Sequence, residues 1–97
     1  MKVLCGANAT NMKYYFNEEE FGMLPSAVKE ELKILLVTFL SDVGGIATMQ
    51  YTDDGKLEIT TIAPIDEIGA ELKITKMRQE KKELFCQLEE FYRAFSK

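Results

Sequence analysis

Residues 46–62 run IATMQYTDDGKLEITTI, two β-rich stretches either side of Asp53-Asp54-Gly55-Lys56. A glycine-containing loop between two such stretches signals a hairpin, because glycine supplies the positive φ that tight reversals need. Leu57, Ile59 and, after a shift, Ile62 supply one half-buried face. Gly44-Gly45 stops the element before the hairpin, with Gly44 read as a left-handed helix cap, and Pro64 closes the strand after it.

Working upstream, Val28, Leu32, Leu35, Phe39 and Val43 recur at helical spacing behind Pro25, which suits a first helical position. From Ile34 to Leu40 nearly every residue is apolar, so this helix is expected to be buried on most sides. Val3–Ala7 and Met12–Phe16 read as two short strands that a hairpin can join, with Asn8, Thr10 and Asn11 as turn formers. Asn17 before Glu18-Glu19-Glu20 has the form of an N-cap with acids in the first turn, a brief helix ending before Leu24-Pro25.

Downstream, Asp66 to Phe95 is helical in pattern. Ala70, Ile74, Met77, Leu84, Leu88, Phe91 and Phe95 form one apolar stripe, interrupted by Lys81. The order is ββαββα in one domain, residues 1–97. The expectation is an α+β fold: a small antiparallel sheet with two main helices packed on one face and a long C-terminal helix. If continuous, that helix is about 45 Å long, against about 32 Å for the diameter of a compact domain of this size. Either it breaks near Gly69 to Ile74, or its end needs a partner. The favoured expectation is a homodimer with Phe85, Leu88, Phe91, Tyr92 and Phe95 at the interface, with another protein as a further partner.

Apolar residues make up 46% and charged residues 29% of the 97, enough for a packed core. Net charge is -4, with nine acids and five bases in residues 1–63 and seven of each thereafter. Neither half has the basic surface that nucleic acid or anionic lipid requires. No apolar run is long enough for a bilayer, and the apolar run within the first nine residues is too short for the hydrophobic region of a secretory leader. Cys5 and Cys86 are far apart and in no CxxC spacing, as in a reduced, cytoplasmic protein.

With no histidine, hydrolytic triads and histidine-ligated metals are excluded. No metal or cofactor is expected. Asp53-Asp54-Gly55 lacks the ligand pattern of a calcium loop, and Gly44-Gly45 follows a helix where a phosphate loop would open one. Cys5 is a nucleophile only if Lys2 or Lys13 lowers its pKa; the simpler reading is a buried strand thiol. The segment from Asn8 to Asn17 is the candidate ligand site, with Asn8, Lys13, Tyr14, Tyr15 and Asn17 as its residues. Consecutive tyrosines in a strand point to opposite faces, so one enters the core and the other stays exposed. Ordinary strand filling competes with this reading.

Leu4-Cys5, Asn8-Ala9, Lys13-Tyr14-Tyr15, Asn17, Leu24-Pro25, Glu31-Leu32-Lys33, Asp42-Val43-Gly44-Gly45, Ile68-Gly69 and Glu83-Leu84 together carry a resemblance. Along nearly its whole length the chain resembles a small family of cytosolic proteins of anaerobic Firmicutes, a domain of unknown function. Thr10 stands where that resemblance implies a tyrosine. It implies no activity, substrate or site residue. The leading functional expectation is a non-enzymatic, homodimeric interaction or regulatory module. The alternative is a small-molecule-binding regulator using the Cys5–Asn17 segment, and a cysteine- or carboxylate-dependent enzyme comes third.

Overall fold

The hairpin at 46–62 forms the end of a four-stranded sheet. The structure is a computed structural model, and it describes residues 2–95. Strands β1 (Lys2–Asn8) and β2 (Lys13–Phe16) are followed by helices α1 (Glu18–Phe21) and α2 (Ser26–Val43). Strands β3 (Ile46–Tyr51) and β4 (Leu57–Ile62) come next, then helices α3 (Glu67–Glu80) and α4 (Lys82–Phe95). The sheet is antiparallel throughout, in the order β2-β1-β3-β4. The α+β class and the strand–helix order are those expected.

Register fixes the two faces. Tyr51 pairs with Leu57 and Ile46 with Ile62, without a slip between them. Gly55, at φ +85°, donates its N–H to the Thr52 carbonyl, and the Lys56 N–H reaches Thr52 Oγ1, so the turn closes as its sequence demands. Leu57 and Ile59 face inward. Ile62 does not: with no shift in register, alternation puts Thr61 inside and Ile62 out in solvent. In β1, Leu4 is an extra residue between the pairs Val3–Gln50 and Cys5–Met49. That bulge lets Leu4 and Cys5 both enter the core.

All the large helices lie on the face carrying Cys5, Ala7, Met49, Tyr51 and Leu57, and the buried residues form one cluster. The opposite face carries Lys13, Tyr15, Thr48, Gln50 and Glu58 and stays open. At the far edge, β4 is blunted at Leu57, whose N–H is accepted by Glu89 and whose carbonyl accepts from Arg78. Helix α2 ends at Gly44, whose φ of +70° is left-handed but whose ψ of -176° is extended, so the chain leaves straight toward β3. Gly45 leaves no room for a side chain: a Cβ there would sit 2.3 Å from the Ile62 carbonyl oxygen.

The last helix breaks, at Lys81 and not between Gly69 and Ile74. Lys81, at φ -111° and ψ 28°, interrupts the helical run between α3 and α4, and its ammonium reaches Glu31 on α2 at 3.5 Å. The longest axis of the molecule is therefore 38 Å, too short for a 45 Å rod. The aromatic overhang consequently does not arise. Phe85 and Leu88 are buried in the chain's own core, and Phe91 and Tyr92 are partly buried against it. Tyr92 stacks on Tyr51 with ring centres 4.1 Å apart, and Phe21 lies against both. Only Phe95 of the five expected interface residues stays largely exposed, at 68%.

Candidate functional site

The expected site residues do not form one cluster. Asn17 is consumed locally: its Oδ1 accepts from the Glu20 N–H, and its Nδ2 donates to the Val3 carbonyl, capping α1 and tying it to β1. Tyr15 points to the open face, since it pairs with Gly6, whereas Tyr14 pairs with Ala7 and turns inward. Strand alternation thus separates the two tyrosines as the sequence implies. Asn8, Lys13 and Tyr14 do come together.

They line one side of a cleft of about 400 Å³ between the β1–β2 hairpin and α2, within the range of small-molecule sites. The helix supplies the other wall through Lys33, Val37, Leu40 and Ser41, positions that recur on one face at helical spacing. Met12 closes the rim. It sits at φ +57°, a left-handed conformation uncommon outside glycine and asparagine, and 88% of its surface is exposed. The turn is held by two side-chain bonds, from the Thr10 N–H to Asn8 Oδ1 and from the Lys13 N–H to Asn11 Oδ1. Lys33 Nζ lies 5.9 Å from the centre of the Tyr14 ring, a cation–π distance.

Met12, Lys33, Val37, Leu40 and Ser41 were not singled out by sequence. The available signal was a surplus. Ile34–Leu40 has more apolar residues than one buried stripe can use, and Ile34 and Val37 are exposed instead of buried as expected.

Behind the cleft wall the Tyr14 hydroxyl oxygen is shut off from solvent without a hydrogen-bond partner of acceptable geometry among the described residues. The Cys5 thiol makes no bond of acceptable geometry to it but is close enough that charge on one is felt by the other. Burial raises the Tyr14 hydroxyl above its ordinary range, and Cys5 and then Glu30 add to the effect. Burial pushes the Cys5 thiol up to about 12, with Tyr14 opposing weakly. A thiol held protonated and fully enclosed is not a nucleophile. Cys86 is exposed on α4, its sulfur 3.9 Å from Glu90.

Two other depressions are poorer candidates. The one at the aromatic end, beside Phe91 and the Lys2–Glu20 ion pair, holds about 160 Å³, below the usual size of a ligand site. A shelf along β4 is open, and the backbone edge at Leu57 is already taken by Arg78 and Glu89. Among the described residues no three Cys, Asp or Glu side chains group so as to hold a metal ion, and no helix is long and apolar enough to cross a membrane.

Fold and cleft define a small α+β domain with one covered and one open sheet face and a ligand-sized recess beside its first hairpin. The chain belongs to a family of unknown function (DUF6145), whose model matches residues 1–97. No curated protein and no solved structure matches it.

Proposed function

We propose that this chain is a non-catalytic binding domain that takes a small molecule in the cleft between the β1–β2 hairpin and α2. The observation that carries this is the cleft itself: ligand-sized, largely apolar, and lined by Asn8, Lys13 and Tyr14 of the segment that sequence singles out. A cytosolic bacterial setting, as the family resemblance implies, and a regulatory role go with this reading. The thiol-enzyme alternative loses its support in the burial of Cys5. Native mass spectrometry of freshly purified protein, paired with a thermal-shift screen of metabolites, tests the proposal. Bound mass or a raised Tm is expected, and Val37→Trp, which fills the recess from an exposed helix position, should abolish it. A shift that survives Val37→Trp, or bare polypeptide with no shift in the whole screen, counts decisively against it.

A second reading, self-association, keeps one observation in its favour. The aromatic end of α4 no longer supplies it, but Ile65, Ile68 and Leu72 form a largely exposed aliphatic strip at the start of α3. Light scattering across a concentration series decides it: a dimer dispersed by Ile68→Glu supports the strip as an interface, and a monomer at all concentrations removes it.

A further inference from the structure

We infer that the ligand of the cleft is an amphipathic anion, a single carboxylate or phosphate head on an apolar body. This rests on the cleft being the binding site. The chain as a whole is acidic, at -4, and residues 1–63 hold nine acids against five bases. The cleft reverses that balance: no carboxylate lines it, Lys33 reaches it from α2 over the Tyr14 ring, and Lys13 borders it at the hairpin with its side chain turned to the open face.

Position along α2 sharpens the contrast. Lys29, one turn before Lys33, lies over the Phe16 ring in the same way but is neutralised by Glu18 at 3.1 Å. Lys33 lies over Tyr14, and among the described residues no ion pair joins it or Lys13 to a carboxylate. Glu30 is felt at Tyr14 but pairs with neither lysine. An ammonium left unpaired beside an apolar recess attracts an anion, and the attraction grows as the anion's body displaces water from the recess.

The remainder of the lining specifies the rest of the ligand. Val37 and Leu40 on the helix and Met12 on the hairpin present an apolar surface, and an unbranched thioether on an exposed turn can adapt to bodies of different shape. A free inorganic anion would leave that surface wet, and a neutral hydrocarbon would leave Lys33 unmatched.

Three probes of one body length separate the possibilities: octanoate, octan-1-ol and octylammonium, followed by amide chemical shifts of the full chain. Octyl phosphate, as a fourth probe, distinguishes the carboxylate from the phosphate head. The expected result is saturable shifts at Ala7–Tyr14 and Lys33–Ser41 with the octyl anions, and affinity at least about ten-fold weaker for the alcohol. Lys33→Gln should weaken octanoate about five-fold, while Lys76→Gln, on the solvated side of α3, leaves it unchanged. If the alcohol or the ammonium binds as tightly as octanoate at the same residues, the anion assignment falls and the cleft stands. If no probe moves those amides, the cleft reading falls with it.

Discussion

The two ends of the sheet each carry an inward-facing tyrosine, and the two are treated oppositely. At the end where β3 turns into β4, Tyr51 is fully enclosed, donates its hydroxyl to the Leu88 carbonyl at 3.0 Å, and stacks on Tyr92. At the hairpin end Tyr14 is half-buried, its hydroxyl enclosed without a proper partner, beside a cleft rimmed by a left-handed methionine. One end is satisfied in volume and in hydrogen bonds; the other is short of both. Stability favours closing such gaps, so a gap kept open marks the part of the surface with the stronger claim to function.

The strongest test of that contrast removes volume at the closed end. Leu88 is buried at 2% exposure in the middle of α4, and its carbonyl receives the Tyr51 hydroxyl. Leu88→Ala should cost about 2–5 kcal/mol, measured by urea unfolding. Val37→Ala on the cleft wall should cost well under about 1 kcal/mol, since half of that side chain is already in water. Equal losses at the two positions would mean that the ends do not differ in packing.

Cys5 lies between the two tyrosines, and its titration is felt by both. Its pKa rises from 9.0 to about 12 on folding because burial penalises the thiolate. The unfolded chain therefore releases this proton first. The stabilisation is complete below about pH 9 and lost as pH rises toward 12, at up to about 1.4 kcal/mol per pH unit. Tyr14 and Tyr51, also raised by burial, act in the same sense at higher pH. Unfolding free energies between pH 8 and 11 should fall more gently in Cys5→Ala than in the parent. Parallel slopes would show that the thiol ionises as easily folded as unfolded.

How far the sequence reaches follows the same division. The closed end was legible because its signals are local and redundant: Asp53-Asp54-Gly55 for the turn, alternation for Leu57 and Ile59, and the stripe from Ala70 to Phe95 for the helical face. Its one misreading came from Lys81, noticed as a polar interruption but not as the break it makes. At a single residue, periodicity cannot tell a solvated lysine from a turn. The bulge at Leu4 and the outward Ile62 escaped for a related reason, since register is set by pairing across strands that no local pattern records. Three of the five expected site residues line the cleft, because Asn8, Lys13 and Tyr14 share one hairpin. The other wall was not legible, because contact between residues 12–14 and 33–41 is made by the packing of α2 on the sheet.

A smaller loss is expected from Tyr51→Phe, about 1–2 kcal/mol, because the Leu88 carbonyl then loses a buried donor. The same chemical change at Tyr14 should differ in sign. Its enclosed hydroxyl has given up water without a geometrically sound bond in return, so removing it relieves a desolvation penalty and sacrifices little. The ring, its packing and the lysine over it all survive in phenylalanine. Tyr14→Phe should therefore leave stability unchanged or raise it by up to about 1 kcal/mol. Unfolding curves of the two Tyr→Phe variants, measured side by side, provide the comparison. If both lose stability alike, the Tyr14 hydroxyl is bonded after all, through Cys5 or an enclosed water. In that case the hairpin end is as complete as the other, and its open cleft no longer has incomplete packing to mark it as the functional surface.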